Sequence, residues 1–231
     1  MMQTVPGRFE DKYALCDELA ERVLQRARIF LMPDRGIAGP QRVTSLYLET
    51  PELTFYQWQT TRRIDRFKLR IRGYGEPPSP CVYAEIKRKN GDLVRKQRAE
   101  VSLRRLSSTP GGIEANDSPA LKEFLKTHRA LDAQPRILVS CLRTALRDTN
   151  TYGEIAVTVD RDIVCQPVCD YDLAGDPLAW RPLPLPNNAI TIVELKYVHQ
   201  PPAWMASLMT DLAEHRVRFS KYGTAMEQYV A

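Results

Sequence analysis

Polar and apolar residues alternate with period two along much of this chain, the pattern of extended strands with two unlike faces. Residues 66–75 read RFKLRIRGYG: Arg66, Lys68, Arg70 and Arg72 fall on one face, Phe67, Leu69 and Ile71 on the other. Strands of similar character are predicted at 8–14 (RFEDKYA), 42–50 (RVTSLYLET), 82–89 (VYAEIKRK), 93–103 (LVRKQRAEVSL), 135–148, 154–164 and 189–198. Asn90, Gly91 and Asp92 supply a hairpin turn between two of them. Helical periodicity is confined to a few stretches. Leu15, Leu19, Val23, Leu24 and Ala27 share a face within 15–30, and 120–130 (ALKEFLKTHRA), 202–215 and 223–229 also read as helices. Pro51 opens a short helix over 51–59. Loops are predicted at 33–40, at 107–119 and at the proline-rich 177–186, a surface excursion with like strands on both sides. Many strands with a few inserted helices give an α+β class: an antiparallel sheet or barrel decorated by helices.

The polar faces are not ordinary solvated faces. Glu–x–Lys recurs at strand spacing as Glu10/Lys12, Glu85/Lys87 and Glu194/Lys196, and Lys96 and Arg98 share a face of the next strand. A carboxylate beside an ammonium suits a metal-bound polyanion, the acid holding a divalent cation while the lysine meets phosphate oxygens. Closing the sheet would turn these faces into a polar lumen and leave faces such as Phe67/Leu69/Ile71 and Ile155/Val157/Val159 outside, under the helices. Like charges enclosed without a counter-ion cost several kcal/mol each, so a basic lumen calls for an anionic ligand. A triphosphate carries about four negative charges near neutral pH, within reach of several cations and one metal ion.

Composition narrows the class. The 231 residues, 43% hydrophobic, are enough for a globular domain with a proper core, and a net charge of +5 does not by itself demand nucleic acid or membrane. No apolar run approaches the roughly 20 residues of a membrane span, and MMQTVPGRFE has no signal-peptide core, so a soluble, cytoplasmic protein is expected. Five scattered cysteines suit reduced thiols; Cys165 and Cys169, the close pair, lack zinc-ligand neighbours. His128, His199 and His215 have no site-like spacing, and Trp204 is expected to anchor the late helix.

The succession RFEDKY, VTSLYLETPEL, RFKLRIRGYG, AEIKRK followed by RKQR, LVSCLRTAL, VTVD, VELKY and FSKYGTAME resembles the VTC (vacuolar transporter chaperone) domain, the polyphosphate-polymerase branch of the triphosphate tunnel metalloenzymes. The motifs lie in family order from about residue 8 to 229, implying one domain over 1–231. The resemblance implies an eight-stranded antiparallel tunnel whose basic lumen binds ATP, triphosphate or polyphosphate with Mn2+ or Mg2+, and which transfers a phosphoryl group from ATP to a growing polyphosphate chain. Motif by motif it implies phosphate-clamping and catalytic roles for Lys12, Arg70, Arg72, Lys87 and Arg143. Lys96, Arg98, Lys196 and Lys221 would complete the phosphate-binding lumen. Glu194 would hold the metal, with Glu10 and Glu85 either further ligands or internal ion-pair partners that orient lysines. Two departures stand out: Cys141 replaces a family tyrosine, and Ala156 stands where an arginine usually precedes the aspartate, here Asp160. The chain resembles the stand-alone soluble form of the domain, with any membrane partner a separate protein.

Three functions are open on these grounds: an ATP-dependent polyphosphate polymerase, a triphosphatase of the same fold, and a non-catalytic polyphosphate-binding module. Nucleic acid is not an expected partner, because aromatic residues are not interleaved with the basic positions as stacking platforms would require. Oligomeric state is not fixed by the sequence.

Overall fold

The computed structural model describes residues 7–108, 112–148 and 155–230. In chain order the elements are β1 (Phe9–Leu15), α1 (Asp17–Arg28), β2 (Met32–Pro33), β3 (Gln41–Glu49), α2 (Thr54–Thr60), β4 (Asp65–Tyr74), β5 (Cys81–Asn90) and β6 (Leu93–Ser102). Then follow α3 (Leu103–Ser108), α4 (Pro119–Ala130), β7 (Gln134–Arg147), β8 (Ala156–Pro167), β9 (Arg181–Pro182), β10 (Thr191–Tyr197), α5 (Ala203–Asp211) and α6 (Lys221–Val230). Eight strands form one antiparallel path, β1-β10-β8-β7-β3-β4-β5-β6, with β2 and β9 as short additions to β7 and β8.

The path curls until its two edges meet. Arg8 N–H donates to Val94 O at 2.9 Å and Val94 N–H donates back to Arg8 O at 3.0 Å, a single bridge between the β1 and β6 edges. Farther along β1 the seam is covered by the segment before α6: Val217 N–H donates to Lys12 O at 2.8 Å, and Lys12 Nζ donates to Phe219 O at 2.9 Å. The expected eight-stranded tunnel with surrounding helices is therefore the architecture, with a ladder that does not run unbroken around the circumference.

The apolar faces point outward and the helices cover them. Leu69, Ile71, Val82, Ala84 and Ile86 pack with Phe55 of α2, Leu121, Phe124 and Leu125 of α4, and Tyr222, Ala225 and Met226 of α6. Val157, Val159, Val193 and Leu195 pack with Ala20, Val23, Leu24 and Ala27 of α1 and Met205 and Leu208 of α5. Each fully buried Leu, Ile, Val, Phe or Met contributes about 1.5–3 kcal/mol, so these two flanking cores hold the sheet curved around an interior that contributes little apolar burial. Trp204 of α5 stacks on Phe30 with centroids 4.9 Å apart, the anchoring expected of it.

Local chemistry shifts several boundaries. The helix expected from Pro51 begins at Thr54, because Leu53 adopts a left-handed conformation (φ 59°) and the Glu49 carboxylate supplies the cap. Its Oε1 accepts from Phe55 N–H at 2.9 Å and its Oε2 from Tyr56 N–H at 2.8 Å and from the Tyr222 hydroxyl, tying α2 to α6. α6 starts at Lys221, two residues before the sequence periodicity, because Ser220 Oγ accepts from Gly223 N–H as its cap. α3 was not predicted; it occupies the end of the expected strand and the start of the expected loop. The proline-rich excursion is more than surface loop: Arg181–Pro182 pairs with β8 and Leu183 is buried.

Candidate functional site

The tunnel encloses a cavity of about 1410 Å³ lined by the alternate residues of the strands. β4 contributes Arg66, Lys68, Arg70 and Arg72; β5 Lys87 and Lys89; β6 Lys96 and Arg98; β1 Glu10 and Lys12; β10 Glu194 and Lys196; β8 Ala156 and Thr158; β7 Arg143 and Arg147. Lys221 enters from the start of α6. Eighteen of the 33 lysines and arginines line this cavity against six of the 28 acidic residues, so a modest net charge conceals a strongly basic lumen. Such a concave surface of one sign focuses its field on an anion.

The register explains the pairing. Glu194 lies opposite Lys12 on β1 and Thr158 on β8. Its Oε2 is 2.8 Å from Lys196 Nζ and accepts from Thr158 Oγ1 at 3.4 Å, while its Oε1 is 3.4 Å from Lys12 Nζ and 3.8 Å from Lys221 Nζ. Burial would raise the Glu194 pKa; the lysines around it override that and hold it well below the usual carboxylate range. Asp160, fully buried, accepts two hydrogen bonds from Arg143 at 2.6 and 2.7 Å and pairs with Lys221 at 2.6 Å. Glu10 takes the Lys87 ammonium at 2.6 Å.

Glu85 does not line the cavity. It shares the lumen-facing side of β5 with Lys87, opposite Arg70 and Arg98, but is 0% exposed beneath the cations, 2.6 Å from Arg70 Nε, 3.4 Å from Lys96 and 3.5 Å from Arg98. Burial pushes the Lys96 pKa down to about 7, with Glu85 opposing and Arg70, Arg72 and Arg98 adding to the fall. Arg72 has a different partner: its Nε donates to Ser45 Oγ at 3.2 Å. Opposite Arg70 on β3 stands Tyr47, whose hydroxyl accepts from Arg70 at 3.5 Å. Burial would raise the Tyr47 pKa, but the two guanidiniums pull it below the ordinary phenol value.

Of the residues singled out from the sequence, Lys12, Arg70, Arg72, Lys87, Arg143, Lys96, Arg98, Lys196, Lys221, Glu194 and Glu10 all line one cavity. Sequence reasoning gave no site role to Arg8, Tyr47 or Thr158, nor to the segment 216–220 that covers the seam, and noted Asp160 only as the aspartate of its motif. Tyr47 and Thr158 carry a signal only through cross-strand register, which sets them opposite Arg70 and Glu194. Ala156 also lines the cavity, opposite Lys196 and Arg147, so the arginine it replaces would have pointed into the lumen.

The VTC domain family profile matches residues 8–230. The chain belongs to the VTC domain family. A candidate adenylate cyclase from Bacillus halodurans of known structure is similar over 97% of each chain, with 11% identity and a TM-score of 0.53. A candidate adenylate cyclase from Vibrio parahaemolyticus aligns over 95% of this chain and 97% of its own, with 11% identity and a TM-score of 0.49. At this identity the Bacillus likeness extends to the fold alone. No curated protein matches the chain. This VTC domain thus has the triphosphate-tunnel fold, and no helix among its described residues is long and apolar enough to cross a membrane.

VTC-type chemistry implies a divalent metal. Among the described residues no three His, Cys, Asp or Glu side chains cluster as a preformed cage. The donor set fits a different mode: Mg2+-like ions are held by one or two carboxylates plus substrate phosphates. Glu194, ionised and facing the cavity, offers one carboxylate, and Glu10 lies close enough for the two charges to disfavour one another.

Proposed function

We propose that this VTC domain transfers the terminal phosphoryl group of ATP to a growing inorganic polyphosphate chain inside its tunnel. The observation that supports this most is the division of the lumen into two walls. On one side Arg66, Lys68 and Arg72 have no carboxylate within 4 Å among the described residues, so they can meet phosphate oxygens. On the other, Glu194 presents an ionised carboxylate flanked by Lys12, Lys196 and Lys221.

In this reading Arg70, Arg72, Lys87 and Arg143 clamp the phosphate chain in line, with Lys12, Lys96, Arg98, Lys196 and Lys221 neutralising the rest of its charge. Glu194, assisted by Glu10, would hold the divalent ion, which supplies charge neutralisation between phosphate oxygens when bound. Glu85 serves as a counter-ion that orients Arg70, Lys96 and Arg98. The nucleophile is a terminal phosphate oxygen of the acceptor, so no serine or cysteine nucleophile is required; the protein positions the reactants and stabilises the spread charge. ATP and polyphosphate are the proposed partners, with manganese or magnesium as cofactor.

A triphosphatase is the second reading, and Ala156 is the feature that favours it: one cation fewer along the wall weakens the grip on a long chain. Incubation with ATP and manganese, followed by a gel that separates polymer from orthophosphate, distinguishes the two. Polymer supports the first reading and orthophosphate without polymer the second. The absence of both overturns each.

A further inference from the structure

Every lumen lysine but one has a carboxylate within 4 Å. Lys12 and Lys196 have Glu194, Lys87 has Glu10, Lys89 has Asp92 at 3.8 Å, Lys96 has Glu85 and Lys221 has Asp160. Lys68 is the exception among the described residues. Its Nζ donates to Ser220 Oγ at 2.8 Å and lies 4.6 Å from the centroid of the Tyr222 ring. A hydroxyl and a ring face satisfy the geometry of an amine without neutralising an ammonium. Ser220 is also the cap of α6, so the positive end of that helix lies beside Nζ.

The groups facing Lys68 from the surrounding strands are cations. Lys87 of β5 is its direct cross-strand partner, Lys12 of β1 faces it, and Arg66 and Arg70 flank it on β4. From α6 comes Tyr222, whose hydroxyl is directed at Glu49. Glu10 lies beyond Lys87 and is committed to it. Burial, followed by repulsion from Lys87, Lys12, Arg66 and Arg70, drives the Lys68 pKa well below the ordinary lysine value.

We propose that Lys68 is a proton-linked anion site of the tunnel: a phosphate oxygen occupies the counter-ion position that carboxylates fill at the other lysines, and its arrival protonates Nζ. The proton comes from the buffer acid, which is left as its conjugate base, and it adds to the Nζ lone pair without any bond to phosphorus changing. The inference rests on the reading of the lumen as a phosphate site and adds to it a residue and a pH dependence. It makes anion affinity fall as pH rises and the free amine loses its proton, while the arginines keep their charge.

The test is calorimetric titration of the full chain with inorganic tripolyphosphate at pH 7.5, without metal, in buffers of differing ionisation enthalpy. The slope gives protons taken up per anion bound. Wild type is expected to take up measurably more protons than K68R, whose guanidinium is charged with or without the anion and which keeps its affinity within a few-fold. K68M is expected to lose the same part of the uptake and also to bind about ten- to a hundredfold more weakly, the worth of one charge-assisted hydrogen bond. Protonation of the ligand itself and of the other lysines cancels in the comparison of wild type with K68R. Equal uptake by wild type and K68R, with tripolyphosphate bound, overturns the Lys68 proposal and leaves the phosphate reading standing. Failure of wild type to bind tripolyphosphate at all overturns that reading and this one with it.

Discussion

At the scale of single residues, the two arginines of the R-x-R motif have the same spacing and different burdens. Arg70 is locked to the fully buried Glu85, and Arg72 is held by a serine hydroxyl. Removing Arg70 takes the closest cation from a buried carboxylate that keeps only Lys96 and Arg98, at 3.4 and 3.5 Å, which costs about 1.5–3 kcal/mol; removing Arg72 does not. Arg72→Met is therefore expected to lower phosphoryl transfer at least a hundredfold with little change in the denaturant midpoint, while Arg70→Met lowers both. Parallel urea melts and rate measurements check this, and equal stability losses would contradict the assignment of Glu85 as the Arg70 counter-ion. Which cations share the lumen was legible from alternation, because period two fixes a face. Which of them need partners was not, since Glu85 and Asp160 reach their cations only through cross-strand register.

At the scale of elements, Glu49 joins a strand end to two helices through four hydrogen bonds to one carboxylate. Nothing in the stretch YLETPEL distinguishes this glutamate from an exposed one, and the helix start moved from Pro51 to Thr54 because of it. Glu49→Ala leaves buried N–H groups and the Tyr222 hydroxyl unpaired, so a loss of about 3 kcal/mol is expected from urea denaturation, at about 1 kcal/mol or more for each orphaned donor. The effect should extend to the lumen, because α6 carries both Tyr222 and Lys221. The strands themselves were read to within two or three residues of their ends wherever one face is apolar. α3 was missed because its six residues make fewer than two turns, too few for Leu103 and Leu106 to set a helical period against the strand alternation before them.

At the scale of the whole molecule, the tunnel stores unfavourable charge that the proposed phosphate ligand would relieve. Lys96, faced by Glu85, Arg70, Arg72 and Arg98, is half-protonated near pH 7 in the folded chain, against about 10.5 for an ordinary lysine. Its folded value is depressed, so between about pH 7 and 10 the unfolded chain binds more protons and stability rises with pH; below 7 the penalty is complete. Lys68 acts in the same direction. The melting temperature of the ligand-free protein is expected to increase from pH 7 to pH 9, and saturating tripolyphosphate to flatten that increase. A melting temperature that falls over the same interval would contradict a lumen stocked with depressed lysines. The inverted architecture, charged inside and apolar outside under helices, was legible from the sequence through the like sign of the polar faces. The seam was not, because RFSKY has no strand-like alternation and is fixed by contacts with Lys12 and Lys68 that are about 150 to 200 residues away in sequence.

The central claim is that the lumen holds a phosphate chain between the β4 cations and Glu194. Diffraction from crystals grown with tripolyphosphate and manganese, recorded near the manganese absorption edge, tests it most directly. The expected map shows phosphate density within hydrogen-bond reach of Arg70, Arg72, Lys87 and Arg143, and an anomalous peak at coordination distance from Glu194. Phosphate and manganese bound only outside the tunnel would contradict the claim.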